Sequence, residues 1–253
     1  MQDELDAILK RIDSRHLSKL WSFFRDYFPD DPSCLLFLHN CVKNEPKKRG
    51  IIYQEIPNKP GAFISEKGDT VVDAVFIPRR MLNTVERLVS AARDMDQIRR
   101  GKDVFKIVYL VTCVETLQQL GGKDSSKKNL LFSFFDDYTS EEDKSYISKR
   151  FKHDDEEKTN REEDSFQQFV GLINEYRNCA AHEGDYWNYC FNNNVDRDVF
   201  PVTLIMKIDL DSYSRKNKKE HYFQTQLSYK DFETVFVRTC ISYIKQYVAE
   251  CSP

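Results

Sequence analysis

Apolar residues recur every three or four positions along most of this chain, and that spacing predicts helices. Leu5, Ile8, Leu9, Ile12, Leu17, Leu20, Trp21, Phe24 and Phe28 form one such series, so residues 4–27 read as a helix that Pro29 and Pro32 stop. Ser33 opens a shorter apolar helix through Leu36, Phe37 and Val42, ended by Pro46 and Gly50. The pattern then changes period. Ile51-Ile52-Tyr53, Ala62-Phe63-Ile64 and the run from Val71 to Phe76 are short β-type stretches, parted by Asn58-Lys59-Pro60-Gly61 and Lys67-Gly68-Asp69, which are turn formers. A small sheet or a pair of hairpins fits them. Pro78, preset for a first helical turn, starts a helix that runs to about Arg100 through Met81, Leu82, Val85, Leu88, Val89 and Ala92.

Gly101 marks a boundary between an N-terminal α+β region, 1–100, and a helical region, 101–253. The second region reads as four helices with one β insertion. The first covers about 103–120, with Val104, Ile107, Val111 and Val114 as its stripe, and Gly121-Gly122 and Ser125-Ser126 break it. The second covers about 127–151, with a break near Thr139. A mostly acidic stretch from His153 to Asp164 follows and reads as a solvated linker. The third helix starts near Glu163 and carries Phe166, Phe169, Ile173, Tyr176 and Ala180 on one face. Residues 202–210 and 221–227 alternate like the strands of a hairpin with Arg215-Lys216-Asn217-Lys218-Lys219 at its tip. The fourth helix, about 229–250, has Ser228 as N-cap and Asp231 as capping-box partner. Phe232, Val235, Phe236, Cys240, Tyr243, Ile244 and Tyr247 form its buried face.

Composition agrees with a mainly α fold with small β insertions. Gly and Pro number only 8 each, too few for a turn-rich all-β architecture, and 13% aromatic residues supply a core. The net charge of −3 excludes a strongly basic protein that coats nucleic acid without selectivity. Seven irregularly spaced cysteines, with no Cys-x-x-Cys, point to reduced thiols in a cytoplasmic setting. The charged start MQDELDAILKRID is no signal peptide, and no apolar run of membrane-spanning length occurs. Cys34, His39 and Cys41 are ligand types in a short span, but a closed zinc site needs a fourth and none is visible, so no metal is expected. No nucleotide-binding or hydrolase motif occurs, and no cofactor is expected.

The informative string is Tyr176-Arg177-Asn178-Cys179-Ala180-Ala181-His182-Glu183-Gly184. On a regular helix Arg177 lies about 60° from the centre of the apolar stripe, while Asn178 and His182 share a face about 160° from it. Arg177 and His182 are then about 140° apart, too far for one regular helix to aim both at one phosphate. Either the helix unwinds before Gly184, or two copies of the chain share a composite site. Arg177 and His182 also suit a helix C-terminus by charge alone, so a purely structural role stays open. Glu115, beside the stripe of the first bundle helix, either orients Arg177 or His182 or sits at a solvated boundary. Arg215, Lys216, Lys218 and Lys219 form either a backbone-gripping tip or a soluble turn. Tyr186 and Trp187 stack on bases or pack under a loop.

Arg-Asn-x-x-x-His at the end of the third helix of a four-helix bundle resembles the motif of the HEPN superfamily. The first helix, LVTCVETLQQL, is similar to the first helix of several branches, and the resemblance covers roughly residues 103–250. It implies dimers whose two motifs face each other in a cleft, RNA cleavage without metal, and toxin, abortive-infection or antiviral-defence roles, with an antitoxin or regulatory partner. Arg177, Asn178 and His182 would be catalytic and Glu115 supporting. One departure matters. A toxin branch has His-x-Tyr, whereas His182 is followed by Glu183-Gly184 and the nearest tyrosine is Tyr186, so that branch's regulation is not carried over. The alternative is a non-catalytic module in which the bundle dimerises or binds a partner.

The angular argument and the resemblance together predict a homodimer. Solution mass measurement should return twice the chain mass at micromolar concentration; a strict monomer would count against the pairing.

Overall fold

The computed structural model describes residues 15–42, 54–55, 63–64, 70–71, 77–98, 103–123, 127–153, 162–183, 191, 202–207 and 220–251. The expectations for residues 4–14 and for the charged stretch after His153 as far as Arg161 lie outside them. Helix α1 (Arg15–Phe24) runs into a 3-10 turn (Arg25–Tyr27), and α2 spans Asp31–Val42. Three two-residue strands, β1 (Gln54–Glu55), β2 (Phe63–Ile64) and β3 (Thr70–Val71), pair antiparallel in sequence order, with Gln54 opposite Ile64 and Phe63 opposite Val71. Helices α3 (Ile77–Ile98), α4 (Asp103–Leu120), α5 (Lys127–Tyr138) and α6 (Glu141–Ser148) follow. Strand β4 (Phe151–His153) precedes α7 (Glu162–Asn178), which continues into a π-helical turn (Cys179–Glu183). Strands β5 (Val202–Lys207) and β6 (Glu220–Thr225) pair antiparallel, with β4 on the other edge of β6, and α8 (Tyr229–Cys251) closes the order. The architecture is mainly α.

Local chemistry sets the helix ends. Helix α2 begins two residues earlier than Ser33. The Asp30 carboxylate accepts the Ser33 amide at 2.7 Å as an N-cap, and Pro32 sits in the first turn, where its missing N–H has no partner to lose. That hydrogen bond holds the Asp30 carboxyl below its ordinary value. The stretch expected as a helix over 127–151 divides at Ser140, whose Oγ accepts the Asp143 amide at 3.1 Å. Phe151–His153 then leaves the helix as β4, which is too short to alternate visibly in the sequence. Helix α4 ends in a Schellman motif. Lys123 N–H reaches the Gln118 carbonyl at 3.0 Å and Gly122 N–H the Gln119 carbonyl at 3.1 Å, with Gly122 at φ 74°. Gly121 packs against the Tyr243 hydroxyl where a Cβ would collide, and that hydroxyl donates to the Leu117 carbonyl at 3.2 Å. At the last helix Ser228 Oγ accepts the Asp231 amide at 3.1 Å, and Asp231 Oδ2 accepts the Ser228 amide at 3.3 Å, the reciprocal capping box.

Helix α4 is the axis. It packs against α3, α5, α7 and α8, and Val104, Ile107, Leu110, Val111, Cys113, Val114 and Leu117 are buried around it. Its contact with α3 is the most extensive between described helices, although Gly101 lies between them in sequence. One apolar core holds Phe24 and Phe37 from the N-terminal helices together with Val85, Val114, Phe134, Phe169 and Phe236.

Two buried charge clusters run through this core. Lys106, 1% exposed on α4, bonds Asp103 at 2.8 Å and Asp96 of α3 at 2.7 Å, over the Tyr229 ring. Burial pulls its ammonium value down, but the two carboxylates outweigh that and leave it raised. Glu233 of α8 is the second centre. Arg93 of α3 reaches both its oxygens, at 2.8 and 2.9 Å, Tyr27 donates to it at 3.0 Å, and Lys230 lies at 3.2 Å. Burial pushes the Glu233 carboxyl up, yet Arg93 and Lys230 win and hold it below the ordinary carboxylate value.

A folded-state value below the unfolded one gives stabilisation that is present at neutral pH and lost as pH falls through the depressed value. Arg93→Met should therefore cost about 2–4 kcal/mol at neutral pH, a figure reduced for partial exposure of the guanidinium and for the remaining Lys230. The deficit should shrink as pH falls below the ordinary carboxylate value and through the depressed one, as Glu233 takes up a proton. Urea unfolding at pH 7 and pH 3 measures both, and equal deficits at the two pH values would refute the linkage.

Candidate functional site

The expected motif lies where α7 reaches α4. Phe166, Phe169, Val170, Ile173 and Tyr176 are buried along α7, which fixes the helix against the core and brings its last turn to Glu115 on α4. Arg177 follows buried Tyr176 at the core edge. Its Nη2 donates to Glu115 Oε1 at 2.6 Å and its Nη1 to Asn178 Oδ1 at 3.0 Å. The two charged side chains are 14% and 23% exposed, so water screens them only in part. A short charge-assisted hydrogen bond in that setting fixes the guanidinium plane more firmly than a surface pair does. The structure thus brings Glu115, Arg177 and Asn178 together from two helices and one chain.

Past Asn178 the helix changes geometry. Cys179–Glu183 form a π-helical turn, in which hydrogen bonds close over five residues instead of four. Such a turn takes up one extra residue, so the rotation per residue drops from 100° to roughly 80–85°. Position 182 then falls about 80–90° from position 177, against about 140° on a regular helix. Positions 178 and 182 stay on one face. Cys179 and Ala180 pack against the apolar core and Ala181 is exposed. The His182 side chain lies outside the described residues, as do Tyr186, Trp187, Arg215, Lys216, Lys218 and Lys219.

Sequence reasoning missed what fixes the chain after the motif. The Phe191 amide donates to Asp103 Oδ2 at 2.7 Å, and the ring stacks on Phe232 with centroids 5.5 Å apart. The signal was present, since Asp103 and Lys106 stand three apart in the first turn of a helix whose next eight residues, Ile107 to Val114, are apolar but for Thr112.

Cys34 and Cys41 are buried, and burial pushes both thiols up to about 12. They act as small apolar side chains rather than as thiolate ligands or nucleophiles. Cys240 is raised by burial and by its hydrogen bond with Cys113. Among the described residues no group of three or more His, Cys, Asp or Glu side chains is placed to hold a metal. No described helix is long and apolar enough to cross a membrane. No family model, curated protein or solved structure matches this chain.

The Glu115–Arg177 contact makes a quantitative claim. A double-mutant cycle with Glu115→Ala and Arg177→Ala should give a coupling of about 1–2 kcal/mol in unfolding free energy. Additive losses would mean that the pair is not formed in solution.

Proposed function

We propose that this chain is a metal-independent RNA endonuclease of the HEPN type, acting as a homodimer in a defence or toxin-like stress role. The observation that carries the reading is the Glu115–Arg177–Asn178 cluster at the start of the π turn that contains His182. The 2′-hydroxyl of RNA is the nucleophile. His182 would take its proton or return one to the leaving 5′-oxygen. Arg177, its plane set by Glu115, would hold the phosphate and balance the charge that builds as five oxygens crowd the phosphorus. Asn178 would complete the hold on the phosphate. The products would be a 2′,3′-cyclic phosphate and a 5′-hydroxyl.

The same ion pair favours a second reading. Arg177 already has a carboxylate partner within its own chain, as a purely structural arginine would, and a bundle that only dimerises or binds a partner needs nothing more.

Incubation with RNA in EDTA separates the two. Wild-type protein should cut, and His182→Ala should lower the rate by about 10²–10⁴-fold with the fold intact. Arg177→Lys should also be poor, since a point charge does not reproduce the planar fork. Inert wild-type protein, or a His182→Ala effect confined to melting temperature, would transfer the assignment to the interaction module.

A further inference from the structure

We infer that the open side of α3 is an interface for a second copy of this chain, with the two α3 helices antiparallel about a two-fold axis near Ser90 and Ala91. One side of α3 is spent on the core, where Met81, Leu82, Val85, Val89 and Ala92 are fully buried. Beside that face runs a second apolar line, Leu88, Ala91, Met95 and Ile98, in steps of three, four and three. That alternation is the spacing with which two helices pack along a seam. The line is not used up within the chain. Leu88, Ala91 and Met95 are only half-buried. Ile98 is 74% exposed, more than any other large apolar side chain among the described residues.

An apolar line alone would accept many helices, and the charges beside it select one. Arg87 and Asp94 each stand one residue before a seam position, on the flank away from the core, and both are exposed. Neither joins an ion pair among the described residues. Seven residues of helix separate them by about 10 Å along the axis, too far for them to pair with each other. An antiparallel second copy meets both. Setting Leu88 against Ala91 of the second copy brings Arg87 opposite Asp94 of the second copy, and the two-fold axis repeats each contact. Met95 then faces Thr84 of the second copy, and the small side chains at Ser90 and Ala91 let the backbones approach at the axis. A parallel pair directs Arg87 at Ala92 instead and forms no ion pair. The register that joins the apolar line is thus the register that joins the charges. This surface goes beyond the ribonuclease reading, uses no residue of the Glu115–Arg177–Asn178 cluster, and shares with that reading only the expectation that two copies pair.

Charge reversal tests the register. Sedimentation of the full chain at micromolar concentration should show a dimer. Arg87→Asp and Asp94→Arg should each weaken it about tenfold or more, because each turns attraction into repulsion at two symmetric contacts. Ile98→Ser should weaken it in the same direction. Mixing the two single variants, each with its own tag, should restore pairing as a doubly tagged heterodimer, and the double variant Arg87→Asp/Asp94→Arg should pair with itself. All four positions are on the surface or lost without a core cavity, and matching circular dichroism melts show that the fold is kept.

A wild-type monomer overturns the inference. So does a dimer that neither single reversal weakens, since the copies then meet elsewhere, and so does a mixture of the two variants that fails to pair. Cleavage of RNA in EDTA is read separately. A protein that pairs through α3 and leaves RNA uncut keeps this interface while the ribonuclease reading fails, and a monomer that cuts RNA does the reverse.

Discussion

The carboxylate of Glu233 is 1% exposed, and the packing of three helices follows from how its charge is met. A buried anion without partners is far costlier than the apolar contacts around it can offset, so the chain must bring donors to it. Two of those donors come from distant points, and the third lies one turn away on the same helix. Tyr27 arrives from the turn after α1, Arg93 from the end of α3, and Lys230 from the first turn of α8. Tyr27 and Arg93 reach the same carboxylate only if the N-terminal helices, α3 and α8 adopt one mutual register. Apolar contacts are non-directional and would tolerate sliding. The bidentate arginine is directional and does not.

The second buried cluster extends that constraint toward the motif. Lys106 and Asp103 sit on the same helix as Glu115, and Asp96 ties that helix back to α3. Helix α4 therefore receives its position from buried charges near its N-terminus and presents Glu115 toward its C-terminus, within reach of α7. The Arg177 guanidinium is held by a frame that begins at Glu233, on the last helix.

The helices were legible wherever one face was apolar. The stripe on α7 and the buried face of α8 read correctly at Phe166, Phe169, Ile173, Phe232 and Phe236 because a half-exposed helix writes its orientation into a 3.6-residue period. Helix α4 was legible as a helix with Val104, Ile107, Val111 and Val114 inward, but not as the axis, since Leu110, Cys113 and Leu117 are buried beside that stripe and widen its inward side. Leu36, read as part of an apolar helix, is 54% exposed, because a short helix with apolar residues nearly all round leaves its inward side undetermined. At the candidate site the proximity of Glu115 to Arg177 could be anticipated from two separate stripes. The π turn could not, since its sequence, CAAHE, has nothing that a regular helix would reject. Buried charges were illegible for a related reason. Asp103, Lys106 and Glu233 are residue types that usually face water, and partners on other elements, such as Asp96, Phe191 and Arg93, reveal otherwise.

The anchoring of Phe191 has a consequence for how damage would spread. Asp103 serves a lysine of its own helix and a backbone amide 88 residues away, so losing that one carboxylate would leave a buried ammonium and a buried amide each short of an acceptor. The start of α4 and the chain at Phe191 are therefore coupled through a single side chain.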